Sequence, residues 1–217
     1  MEEKNIGFHF NARYFKTGTL DASTRQVWIV LHGYGQLARY FLKKFNGLIP
    51  KNICVIAPEG LSRYYLSEFT EQGRKDNRVG ATWMTSENRL MDIDNYLTYL
   101  DAVYEKELKS FQEVAVTLFG FSQGCATVCR WAATGNVKFE RLILWAGLFP
   151  PDMNFKDGHD ALVSRKTYLV VGDQDPFFTP ARMTDFDQLA SQLGIQPKKI
   201  IFSGKHELDE AVLDQFV

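Results

Sequence analysis

The chain predicts an α/β domain built on a mostly parallel, doubly wound sheet. Three observations lead there. Short apolar runs recur along the chain, each continuous rather than alternating, as strands read when a parallel sheet is covered on both faces. Helical patterns lie between these runs, so strand–helix–strand units repeat with right-handed crossovers. The length of 217 residues suits a single domain over 1–217, whose core buries roughly 70–75% of the unfolded surface.

The runs are Val27–Leu31, Ile53–Ala57, Val114–Phe119, Leu142–Ala146, Tyr168–Val171 and Lys199–Phe202. Ahead of them, Ile6, Phe8, Phe10, Ala12 and Tyr14 alternate, which predicts an antiparallel edge strand. Helices are expected over Leu37–Phe45, Met91–Lys109, Gln123–Ala133, Pro180–Leu193 and from Glu207 to the end. In the second of these, Ile93, Leu97, Leu100, Val103 and Tyr104 recur at three- and four-residue spacing, one face of an amphipathic helix. The connection over 58–90 is long for a compact domain. It carries Tyr64, Tyr65, Phe69, Trp83 and Met84, and reads as a lid or pocket wall, the alternative being a structural excursion with its own short helix.

Charge and composition exclude several function classes. Lys+Arg (25) nearly balances Asp+Glu (26), so no strong pull toward nucleic acid or an anionic membrane is expected. Nothing approaches the run of about eighteen apolar residues that would span a bilayer. The start, Met1-Glu2-Glu3-Lys4-Asn5, lacks the basic and apolar regions of a signal peptide. Cys54, Cys125 and Cys129 form no disulfide framework, and Cys125 and Cys129 read as packing residues. A reducing, cytoplasmic setting follows as the expectation. The aromatic content, 17 Phe, 9 Tyr and 4 Trp, supplies rings for an apolar pocket.

The chemistry concentrates at Gly120-Phe121-Ser122-Gln123-Gly124, between a strand and a helix. This is the G-x-S-x-G pattern in the context it requires. A turn that sharp strains the serine backbone, and glycines two positions either side remove collisions. The strain exposes the Ser122 hydroxyl at the strand end, and the helix N-terminus favours anionic charge there. A serine nucleophile needs a base, and on this strand–turn–helix arrangement the chain order is serine, acid, histidine.

Of His9, His32, His159 and His206, only the last two follow Ser122. His206 follows the last strand and is the expected base. His159, in a polar stretch, is expected to be a solvated loop residue. The acid should lie at a strand end between Ser122 and His206. Gly172-Asp173-Gln174-Asp175-Pro176 offers Asp175 for that role and Asp173 to organise the turn, with Asp152 and Asp157 as fallback. Its task is to orient the imidazole and stabilise its cation. The oxyanion donors are expected to be the backbone N–H groups of Gln123 and, from His32-Gly33-Tyr34-Gly35-Gln36, of Tyr34. His32 is expected to brace that loop. The pocket candidates are Tyr64, Trp83 and Phe177. No cluster has metal-ligand spacing and no glycine pattern fits a nucleotide, so neither metal nor cofactor is expected.

These residues give the chain a resemblance to the α/β-hydrolase superfamily, and within it to the phospholipase/carboxylesterase family that includes acyl-protein thioesterases. The segments that carry it are Leu31-His32-Gly33-Tyr34-Gly35, Gly120-Phe121-Ser122-Gln123-Gly124, Gly172-Asp173-Gln174-Asp175-Pro176 and Gly204-Lys205-His206. It extends from about residue 27 onward. The resemblance implies an α/β-hydrolase fold without a large cap domain, Ser122, Asp175 and His206 as triad, and the Tyr34 and Gln123 amides as oxyanion donors. It implies a serine carboxylesterase or thioesterase acting on small acyl esters or lysophospholipid-like substrates through an acyl-enzyme. The chain departs from the family pattern at Gly124-Cys125 and over Leu61–Thr85, which bears on acyl specificity. A peptidase or amidase of the same fold and a non-catalytic binding protein are the competing readings. A homodimer is left open, and no nucleic-acid partner or stable membrane insertion is expected.

Overall fold

The structure, a computed structural model, describes residues 1–71, 73–111 and 113–217. The elements run β1 (Tyr14–Thr17), β2 (Gln26–Leu31), α1 (Ala38–Phe41), β3 (Ile53–Pro58), β4 (Ser62–Tyr65), β5 (Phe69–Thr70), β6 (Gly73–Arg74), β7 (Val79–Thr82), α2 (Arg89–Leu108) and β8 (Ala115–Phe121). They continue α3 (Gln123–Thr134), β9 (Arg141–Trp145), α4 (Phe155–Leu162), β10 (Lys166–Gly172), α5 (Pro180–Gln192), β11 (Lys198–Phe202) and α6 (Glu210–Leu213). A 3₁₀ segment, Leu42–Lys51, prolongs α1, and another, Asp214–Phe216, prolongs α6.

Among the described residues, seven strands form the central sheet in the order β1-β3-β2-β8-β9-β10-β11. All neighbours pair in parallel except β1 with β3. The continuous apolar runs have the predicted cause. On β2, Val27, Ile29 and Leu31 point into one core with α2, α3 and α5, while Trp28 and Val30 point into the other. The second core is filled by Phe41, Phe45, Leu213 and Phe216, so every residue from Val27 to Leu31 is buried.

Three expectations change. The alternation from Ile6 to Tyr14 does not make a strand; β1 begins at Tyr14 and pairs over Tyr14–Thr17 alone. Ile6, Phe8 and Phe10 stand exposed, and among the described residues no strand pairs with that segment before Tyr14. Residues 155–162 form a helix, α4, that carries His159. Asn154 caps it, accepting from the Asp157 N–H at 3.2 Å, and Leu162 anchors its apolar side. The polar Lys156-Asp157-Gly158-His159 stretch masks that pattern. His159 is exposed and its Nδ1 donates to the Leu193 carbonyl at 2.9 Å.

Residues 58–90 hold two small antiparallel pairs, β4 with β7 and β5 with β6, rather than a helix; Gln72, inside that stretch, lies outside the described residues. The β7 strand also bridges to the loop after β2. Gly35 N–H donates to the Ala81 carbonyl at 2.9 Å and Ala81 N–H to that of Gln36 at 3.1 Å.

Candidate active site

Ser122 sits between the end of β8 and the start of α3 with φ 53° and ψ −116°. This is left-handed territory that a serine rarely adopts. The turn is held from several sides. Ser122 N–H donates to the Trp145 carbonyl at 2.9 Å. A Cβ at position 120 would meet the Gly124 oxygen at 2.6 Å, and one at 124 would overlap the Leu31 carbonyl. The two glycines therefore let α3 start directly against the strand ends. Cys125 lies beneath the turn, fully buried, with its thiol donating to the Gly120 carbonyl at 3.1 Å. Burial raises its pKa, so it remains a thiol. Cys54, Cys125 and Cys129 are all free, and the last two pack as expected.

His206 follows β11 and Asp175 follows β10. His206 Nδ1 donates to Asp175 Oδ2 at 2.7 Å. The other oxygen, Oδ1, accepts from the Phe177 N–H at 2.9 Å. Asp175 is buried, and with one hydrogen bond to each oxygen its carboxylate is held in place. The imidazole lies between the Phe121 ring at 5.0 Å and the Phe177 ring at 4.9 Å. Asp173 does a different job: its Oδ1 accepts from the Gly204 N–H at 3.1 Å, fastening the loop that carries His206. Asp152 pairs with Arg89 and Arg130, and Asp157 bonds Asn154. Neither fallback acid bonds His206.

Ser122 and His206 line one cavity of about 720 Å³. Among the described residues, Ser122 Oγ has no hydrogen-bond partner; catalytic contacts of this kind are often long without substrate.

The loop after β2 lies directly against the serine, since a Cβ on Gly33 would stand 3.2 Å from Ser122 Cβ. His32 braces it. The ring is fully buried, with Nδ1 donating to the Gly33 carbonyl at 2.8 Å and Nε2 accepting from Gly60 N–H at 3.0 Å. That pattern requires the neutral Nδ1–H tautomer, and burial holds the pKa below its usual value. Gly33 N–H is taken by Gln36 Oε1 at 2.8 Å and Gly35 N–H by Ala81. The Tyr34 and Gln123 amides have no such acceptor among the described residues.

Of the three pocket candidates, Phe177 lines the cavity. Trp83 does not: it is 2% exposed, its indole N–H bonded to the His32 carbonyl at 2.9 Å and its ring against Tyr96. The neighbouring Met84 reaches the cavity instead, because adjacent residues face opposite ways at a strand end. Tyr64 also lies off the cavity, its ring tilted against that of Tyr34 at 5.3 Å between ring centres. Its hydroxyl lies beside Gly35, where a Cβ would meet it at 3.3 Å.

Sequence reasoning missed two features. The Gln123 side chain takes N–H from Trp83 at 3.2 Å and gives N–H to the Met84 carbonyl at 3.0 Å, latching residues 82–84 to the turn. Arg130, on α3, lines the cavity. Its spacing from Ser122 through Ala126, four residues each, places it on the serine's face of the helix, and that signal was readable.

A strand–serine–helix turn beside an imidazole bonded to a buried acid invites comparison with known hydrolases. The model of the phospholipase/carboxylesterase family matches residues 18–216. The chain belongs to that family. No curated protein matches it. Many solved structures share the fold. Maize (Zea mays) acyl-protein thioesterase 2 superposes with a TM-score of 0.70 at 16% identity, over 95% of this chain and 96% of that one. Esterase PE8 gives 0.67 at 17%, over 94% and 95%. The Bacillus cereus carboxylesterase gives 0.65 at 12%, over 94% and 91%. Membership in the phospholipase/carboxylesterase family accords with the α/β-hydrolase sheet and the lack of a large cap among the described residues. No helix among them is long and apolar enough to cross a membrane.

Proposed function

We propose that this chain is a serine hydrolase of small acyl esters or thioesters, with Ser122 as nucleophile. His206 is the general base, Asp175 orients and stabilises its imidazolium, and the Tyr34 and Gln123 amides receive the oxyanion. One observation carries the reading. His206, joined to the buried Asp175 at 2.7 Å, lines the same cavity as a serine held in a left-handed backbone turn.

The steps are those of acyl transfer through a serine. Ser122 Oγ attacks the acyl carbon and its proton passes to His206 Nε2, while Nδ1–H stays on Asp175. The carbonyl oxygen becomes an oxyanion between the two amides, each worth about 10²–10³ in rate. Collapse breaks the bond to the leaving oxygen or sulfur, which takes the proton from Nε2. Water then repeats the sequence, releasing the acid and restoring Ser122. The small-molecule ester or thioester is the partner this chemistry requires.

The test is fluorophosphonate labelling alongside p-nitrophenyl ester hydrolysis, with Ser122→Ala as control. Turnover and labelling in the parent, both lost in a folded Ser122→Ala, are the expected result. Wild-type turnover in Ser122→Ala would overturn the assignment.

A further inference from the structure

We infer that the cavity beside Ser122 takes a short acyl group ending in a carboxylate, with Arg130 and Arg182 as its counter-charges. The inference rests on Ser122 being the nucleophile and names the substrate class of that site.

Ser122, Ala126 and Arg130 all line the cavity and follow one another at four-residue intervals along α3. The helix thus forms one wall, with Arg130 Cα roughly 12 Å along the axis from Ser122. A long helical side chain leans toward the helix N-terminus, so the guanidinium of Arg130 leans back toward the serine.

Arg130 is 7% exposed, and arginine is rarely that buried without full pairing. Its pairing is incomplete. Nη2 bonds Asp152 Oδ1 at 2.6 Å and Nη1 bonds the Tyr96 hydroxyl at 3.3 Å, but Nε is buried with no partner. Asp152 is also shared with Arg89, so two guanidinium groups divide one carboxylate and leave a net positive charge.

Across the cavity, α5 presents Arg182, which is exposed and makes no ion pair among the described residues. Asp185 faces the same space. Among the acidic and basic side chains of α3 and α5 that line the cavity, Arg130 and Arg182 stand against Asp185 alone. Gln188 and Gln192 also line the cavity, together with Leu148, Phe149 and Leu189. A cavity walled by apolar side chains together with cationic and hydrogen-bonding ones matches a dicarboxylic half-ester. A long alkyl chain would instead seal Arg130 and the glutamines under hydrocarbon, which is unfavourable for groups left without partners.

Hydrolysis of such a half-ester needs no new co-reactant. Ser122 forms the acyl bond, the alcohol departs with the proton from His206, and water releases the diacid.

Two measurements test this. Calorimetric binding of glutarate against valerate needs no turnover, and pH-stat kinetics compare monoethyl glutarate with ethyl valerate and ethyl 5-aminopentanoate. Glutarate should bind about tenfold tighter at low salt, and its half-ester should lead in kcat/KM by a similar factor. Arg182→Gln, at an exposed site that should not disturb folding, should lower that ratio about two- to fivefold. Arg130→Lys should lower it further, because a point charge replaces the planar fork. Equal or weaker binding of glutarate, a lead for the amino ester, or a ratio indifferent to Arg182→Gln would overturn the inference. Absence of labelling and turnover with all esters would instead overturn the hydrolase reading, which the binding comparison leaves separate.

Discussion

Gly33 and Ser122 are packed so closely that a methyl group on residue 33 would stand 3.2 Å from Ser122 Cβ and 3.0 Å from the Phe121 ring. The β2 loop and the serine turn are therefore packed directly against each other. Gly33→Ala should push the Tyr34 amide off its aim. The expected outcome is a loss of kcat by about 10²–10³ with a much smaller change in KM. Steady-state kinetics on p-nitrophenyl butyrate, with a melting curve to verify the fold, check it; unchanged kcat would argue against an oxyanion role for this loop.

Asp175→Asn keeps the shape of the buried acid but offers N–H or a neutral oxygen to His206 Nδ1. The imidazole then loses its tautomer control and its counter-charge. We expect kcat to fall by roughly 10⁴, whereas Asp173→Asn, which still accepts from Gly204, should stay within a few-fold of the parent. A comparison of the two variants decides which aspartate serves the base.

Ser122 holds φ 53° at an energetic disadvantage of about 1–3 kcal/mol. Glycine tolerates that conformation, although it adds about 0.5–1 kcal/mol of unfolded-state freedom. Ser122→Gly should therefore melt above Ser122→Ala, both being inactive. Equal melting temperatures would mean that the turn carries no strain.

His32 is buried as the neutral ring, so its folded pKa lies below the ordinary 6.5. Above that value both states are unprotonated and its contribution to stability is complete. As pH falls through it, the unfolded chain binds a proton that the folded chain refuses, and stability declines until the folded pKa is passed. Urea unfolding between pH 8 and about pH 5 should show this loss, and His32→Gln should flatten the slope across that window. An identical slope in the variant would assign the dependence to other groups.

Much of this site could be read before any coordinates. The serine turn depends on local backbone chemistry, which is why Gly120, Ser122 and Gly124 stand out by spacing alone. The order of Asp175 and His206 follows from strand ends, and strands announce themselves by continuous apolar runs such as Tyr168–Val171. Patterns without a partner misled. The alternation over Ile6–Tyr14 resembles a strand, yet a strand exists only where a neighbour accepts its hydrogen bonds, and β3 accepts them from Tyr14 onward. The α4 helix escaped notice because a glycine and four charged or polar residues dilute its apolar side.

The remainder belongs to packing between distant segments. Trp83 and Met84 are neighbours in the chain, but one is sealed under His32 and the other faces the cavity. Arg130, Leu148 and Arg182 come from three separate stretches and meet at one cavity. Local propensity and chain order were enough for the sheet and the turn at Ser122. The shape and charge of the space beside it arise from side chains far apart in sequence, whose contacts exist only once the sheet has brought their helices and loops together.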